Sequence, residues 1–206
     1  MHLKRPATIH LQEGLFIPEG VDLEEVDRRW QKRCLQNPSC FDGTLLHVLG
    51  AQRNGCGGAN VHVMPCSYRF FAVQDAFYNL GIRPLGVKGI TRFDSKILWG
   101  KRSNAVHHYA GQWECAPSGS VEPGHAPEET IQKELLEETG LSISVPPIAV
   151  ALLFDEEAKT WELIYRLHVK GCDCVSNGEY VEYSWKAKNN VPGGVTPISR
   201  LMHVYA

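Results

Sequence analysis

The sequence predicts an α+β fold, a mixed β-sheet with helices packed on it, preceded by a smaller α+β extension. Three observations carry that reading. A helical pattern over residues 127–139 has alternating-hydrophobic strands on both sides. A second amphipathic helix, with its own cap, lies near the N-terminus among short strands. The 206 residues, 43% of them hydrophobic, are enough to bury a sizeable core.

The elements follow in order. Residues 8–11 read as a short strand and Pro18-Glu19-Gly20 as a turn. Asp22 stands where a helix cap belongs. Leu23, Val26, Trp30 and Cys34 then recur at three- and four-residue steps, so the spacing predicts a helix that stops before Pro38. Residues 45–49 and 61–64 read as strands joined by the glycine-rich segment 54–58, and residues 68–80 as a second helix. Residues 85–93 and 96–101 form a predicted hairpin turning at Asp94-Ser95. Residues 112–116 make a short strand that leads into Pro117-Ser118-Gly119, and helix 127–139 follows. Residues 148–154 and 161–169 are two long strands around the acidic turn Asp155-Glu156-Glu157. Further on, a strand near Trp185 and a short helix near residues 196–203 complete the chain. The predicted division is an extension over residues 1–82 packed on a main domain over 83–206, with little linker between them.

Composition excludes several classes. A formal net charge of −2 argues against a protein that coats nucleic acid, which needs a basic surface. No stretch reaches the roughly 20 apolar residues that span a bilayer, and no apolar core follows the N-terminal basic residues as a secretory signal requires. The expectation is a soluble, cytoplasmic protein without a membrane partner. Seven cysteines, mostly solitary, do not make a disulfide framework. Cys172 and Cys174 lack the second pair that structural zinc needs.

The chemistry concentrates in residues 119–141. A loop with Gly119 and Gly124 allows sharp turns and close approach to a ligand. Pro127 suits the first helical position, and Glu128 and Glu129 complement the positive end of the helix dipole. Gly140 is placed to end the helix in a left-handed conformation, with Leu141 packing back on Leu136 in a Schellman cap. Glu134, Glu137 and Glu138 share about a third of the helix circumference, while Ile131 and Leu135 point to the sheet. Three like charges on one face repel, and a hard divalent cation offsets that repulsion while also binding phosphates.

The whole string resembles the Nudix box, G-x5-E-x7-R-E-U-x-E-E-x-G-U, with U a bulky aliphatic residue. Gly119, Glu134, Leu135, Glu137, Glu138, Gly140 and Leu141 stand in register with it. The resemblance implies an αβα sandwich and an enzyme that uses Mg2+ (or Mn2+) to cleave a diphosphate bond in a nucleoside-diphosphate derivative. It implies Glu134, Glu137 and Glu138 as metal ligands, helped by the carbonyl of Gly119, and Glu134, Glu138, Lys133 and His125 as the catalytic set. A homodimer is a further expectation from the family.

Two positions depart from the pattern. Lys133 stands where the family has arginine and loses the bidentate fork. His125 stands where it has the first glutamate and cannot serve as an anionic ligand; Glu122, three residues earlier, is a candidate substitute. These departures keep a second reading open, a nucleotide or nucleotide-sugar binding module without turnover. Trp30, Asn37-Pro38, Phe41-Asp42 and residues 67–71 resemble the N-terminal region of the branch that hydrolyses UDP-glucose and UDP-galactose, with Trp30 and Phe41 expected in the core. Arg102, Tyr109 and Trp113 are candidate substrate-binding residues, and Trp99, His107 and His108 lie beside them. General-base candidates outside the box are Asp155, Glu156, Glu157, Glu179 and Glu182.

Overall fold

The computed structural model describes residues 1–37, 40–106, 108–175 and 178–206. Strand β1 (Thr8–Leu11) precedes helix α1 (Leu23–Gln36). Asp22 caps α1 as expected, its Oδ1 accepting from the amides of Glu24 and Glu25 at 3.0 and 3.1 Å. Pro38, the expected stop signal, lies outside the described residues. Strands β2 (Thr44–Arg53) and β3 (Ala59–Ser67) run longer than predicted, because their antiparallel ladder continues through polar positions out to Arg53↔Ala59. With β1 parallel to β3, they form a three-stranded sheet in the order β1-β3-β2.

The helix expected over residues 68–80 is corrected: α2 spans only Tyr68–Ala72. Beyond it, side chains take over the backbone donors. Gln74 Oε1 accepts from the amides of Leu80 and Ile82, both at 3.0 Å. Asp75 Oδ1 accepts from Phe77 and Tyr78 at 2.7 and 2.9 Å. Such local partners compete with helical hydrogen bonds, and hydrophobic spacing does not register them.

The remaining elements are β4 (Leu85–Phe93), β5 (Lys96–Arg102), β6 (Trp113–Cys115), β7 (Ser118–Ser120), α3 (Pro127–Thr139), β8 (Ile148–Asp155), β9 (Thr160–His168), β10 (Tyr180–Ala187), α4 (Pro197–Met202) and a 3-10 turn (His203–Tyr205). They build a seven-stranded sheet along β10-β5-β4-β9-β8, with β6 on β5 and β7 on β4. The β4–β9 pair is parallel and its neighbours are antiparallel, which makes the sheet mixed. The hairpin turns at Asp94 (φ 52°) as predicted, yet only Arg92↔Ile97 and Phe93↔Lys96 pair across it, since β4 goes on to pair with β7 and β9.

Side-chain alternation along the central strands sets the layers. Leu163, Tyr165 and Leu167 of β9 pack with Ile131 and Leu135 of α3. Ile164 joins Ile198 and Met202 of α4 in a second cluster. Leu3, Leu46, Val48, Val61 and Val63 from the first 82 residues belong to the same buried cluster as α3. At the outer edge of β8, the Leu3 amide donates to Val150 and the Leu152 amide donates to Met1, each at 2.8 Å. Among the described residues, no helix is long and apolar enough to cross a membrane.

The end of α3 differs in detail from the expectation. Gly140 is left-handed (φ 71°), but its amide donates to Leu136 O at 2.9 Å, which is the simpler left-handed cap and not a Schellman motif. Leu141 sits in the main core while Leu136 is 56% exposed, so the two do not close the cap together.

Candidate active site

Strand β7 and helix α3 meet at Gly119. A Cβ there would stand 2.4 Å from both Cγ and Cδ of Glu134, so glycine is what allows this carboxyl group to lie against the strand. Burial, reinforced by Glu137 and Glu179, pushes the Glu134 carboxyl up to about 7. Glu138 is 2% exposed, with Oε2 accepting from the Ser118 amide at 3.1 Å. Its Oε1 is buried without a hydrogen-bond partner. Burial first, then the charges of Glu179 and Glu114, raises its pKa well above the usual carboxylate range.

The predicted three-carboxylate face is divided. Glu134 and Glu138 turn to β7, whereas Glu137 is 54% exposed and lies 3.8 Å from Lys133 Nζ. Among the described residues, no three His, Cys, Asp or Glu side chains converge as a ready metal cluster. His125 and Lys133 line a recess of about 140 Å³ that Glu134 and Glu122 also line.

Glu134 opens on its other side into a cavity of about 370 Å³, which Arg102 and Tyr109 line as well. Tyr109 donates its hydroxyl to Asp155 Oδ1 at 2.5 Å. Trp113 does not join them: half-buried on β6, it packs against the cluster beneath α4. Trp99 is a core residue at 1% exposure. His108 lines the cavity, and burial lowers its pKa; His107 lies outside the described residues. Of the general-base candidates, Asp155 and Glu179 line this cavity and Glu157 an adjoining one. Glu156 and Glu182 are exposed.

Three residues that sequence reasoning passed over are central here. Lys88, Glu114 and Glu162 are all buried and all line the cavity. Gly86 pairs with Glu162 in the parallel β4–β9 ladder, and a Cβ on Gly86 would meet Glu162 Oε2 at 2.4 Å. Glu162 Oε1 accepts from Thr160 Oγ1 at 2.7 Å. Burial outweighs the opposing Lys88 charge and pushes the Glu162 carboxyl up to about 7. A charge placed within a mainly apolar strand was the available signal, because a buried charge needs partners.

A wider cavity of about 760 Å³ adjoins the first, and Phe71, Pro84, Ser120 and Thr160 line both. Its walls include Phe41 and Tyr68 from the N-terminal segment and Glu122 and Pro123 from the loop before α3. Phe41 is 76% exposed and not the core residue expected; Trp30 is half-buried, edge-on to Tyr68 at 6.2 Å.

A mixed sheet between helices, with an acidic helix held against a glycine strand, is the Nudix fold. Residues 83–174, a little under half of the chain, match the family model described as NUDIX domain. Among solved structures, a MutT NUDIX hydrolase from Burkholderia pseudomallei is similar with a TM-score of 0.52 and 21% identity, covering 58% of this chain and 95% of that one. A NUDIX hydrolase from Nitrosomonas europaea gives a TM-score of 0.50 and 19% identity over 60% of this chain and 86% of that one. At such identities the likeness is one of fold. A comparison with curated proteins gives no match. The domain match and the solved structures thus agree on the fold of this part of the chain.

Proposed function

We propose that this protein is a divalent-metal-dependent diphosphatase whose substrate is a nucleoside diphosphate joined to another moiety, with a nucleotide sugar such as UDP-glucose first among candidates. The observation that carries the reading is the gathering of Glu134 and Glu138 against β7, in and beside a cavity that Lys88 and Arg102 also line. The donor set fits a hard cation. Glu138 Oε1 is a buried carboxylate oxygen without a partner, and Glu134 is crowded by other carboxylates. Glu134 and Glu138, with the Gly119 carbonyl, would hold Mg2+ or Mn2+, and Glu137, which lies outward beside Lys133, would complete the set by turning inward. Such an ion, when bound, neutralises diphosphate charge and makes water a better nucleophile.

The chain's own groups supply the rest. Lys88 and Arg102 bind non-bridging diphosphate oxygens from the cavity wall. Glu134, which lines the cavity beside that cation position, is the group assigned to accept a proton from the attacking water. Lys133 and His125 face the substrate from the small recess. Phe41, Tyr68 and Phe71 offer rings for the nucleoside base in the wide cavity, which gives the extension over residues 1–82 a role in a site otherwise built by residues 83–206. The seven free thiols support a reducing compartment such as the cytoplasm. A homodimer is part of the same reading, checked by light scattering on a sizing column.

The test is incubation with Mg2+ or Mn2+ and UDP-glucose, ADP-ribose, NADH or diadenosine polyphosphates, with products followed by phosphorus NMR. UMP and glucose 1-phosphate from UDP-glucose, lost in Glu138→Gln, is the expected result. Cleavage of another compound would keep the reaction and discard the sugar nucleotide. His125 favours a second reading, a binding module without turnover; silence across the panel, with metal bound, would establish it over the first.

A further inference from the structure

We propose that Glu114 is a positioning residue: it holds Lys88 and Arg102 at the cavity wall as a paired cradle for a diphosphate and, through Ser118, aims Glu138. The inference rests on the diphosphatase reading above for its ligand. Glu114 lies at the centre of the short strand β6, is fully buried, and lines the cavity. Its Oε2 accepts from Lys88 Nζ at 3.0 Å. Its Oε1 accepts from the Tyr180 hydroxyl at 2.8 Å, from Ser118 Oγ at 3.4 Å and from Arg102 Nη1.

One carboxylate thus ties together β4, β5 and β7, which wall the cavity, and the adjoining strand β10. Arg102 is fixed at a second point, its Nε donating to His108 O at 3.0 Å. Ser118 carries the link onward, since its amide donates to Glu138 Oε2 at 3.1 Å. Burial alone would raise the Glu114 pKa, but Lys88 and Arg102 overcome it and hold the carboxyl down at about 2. Glu114 is therefore an anion throughout the working pH range.

A buried ion network of this kind is seldom what makes a fold stable, because well-packed apolar side chains do as well. What it fixes is geometry. Two long cationic side chains, each with many rotamers, are held where an anion enters, so less order has to be imposed when the anion binds.

The experiment titrates inorganic pyrophosphate into the full chain by calorimetry, with a chelator present, for wild type, Glu114→Gln and Tyr180→Phe. Circular dichroism at the assay temperature establishes that each variant is fully folded, and under that condition a loss of stability alone does not move the dissociation constant. Glu114→Gln adds positive charge to the site, and if charge alone mattered pyrophosphate would bind more tightly. Positioning predicts the reverse, weakening by roughly tenfold. Tyr180→Phe leaves the charge unchanged and removes one donor to Oε1, with an expected weakening of roughly two- to fivefold. Equal or tighter binding in Glu114→Gln overturns the proposal. If that variant does not fold, unchanged binding in Tyr180→Phe overturns it. Because no turnover is read, the result stands apart from the substrate panel that tests the diphosphatase reading.

Discussion

Glu162 offers a direct test of how the cavity handles buried charge. Its carboxyl rises from 4.5 to about 7, first because it is buried, against the opposing pull of Lys88. In the unfolded chain it ionises near the ordinary value. Between the two values the native state keeps a proton that the unfolded state has released, so stability falls as pH rises through this window. The deficit is absent below pH 4.5 and complete above pH 7. The shift corresponds to roughly 3 kcal/mol. Glu162→Gln cannot ionise, and its amide oxygen can still accept from Thr160 Oγ1. Other groups titrate alike in both proteins and cancel in the difference. The variant should therefore gain on wild type by roughly 3 kcal/mol between pH 4 and pH 8, or roughly 6–12 °C in melting temperature for a chain of this size. Thermal unfolding in chelator at the two pH values measures it. A difference between variant and wild type that is the same at both would refute the reasoning.

Gly119→Ala should displace the Glu134 carboxyl, since its Cβ would fall 2.4 Å from Cγ and Cδ; kcat/KM in the diphosphatase assay is expected to drop about 100-fold with little loss of secondary structure by circular dichroism. Glu137→Gln, at a side chain 54% exposed and 3.8 Å from Lys133, should change metal-free stability by no more than about 0.5 kcal/mol in denaturant unfolding. Asp22→Ala removes the acceptor for the Glu24 and Glu25 amides and should destabilise the protein by about 1 kcal/mol, read as a lower urea midpoint at unchanged slope.

The parts of the fold that were legible in the sequence are those governed by local rules. The Asp22 cap, the bounds of α3 and the left-handed Gly140 all came from short-range chemistry. Residues 68–80 failed because Gln74 and Asp75 supply backbone partners that hydrophobic spacing does not reveal. At the site, register identified the residues of the box, and Gly119 and Glu134 do meet. Register could not show that Glu137 turns outward while Glu134 and Glu138 turn to the strand. Lys88, Glu114 and Glu162 were invisible for a different reason. Their neighbours in space come from β4, β6 and β9, and that assembly depends on sheet order, which no single segment encodes.

The backbone of Met1 and Leu3 runs along the rim of β8, exchanging hydrogen bonds with Val150 and Leu152. Without that cover, the rim of the seven-stranded sheet would offer unpaired amides and carbonyls along a strand rich in aliphatic side chains. Such an edge recruits strands from other molecules. Cleavage or disorder of these few residues should then turn a well-behaved preparation into one prone to self-association.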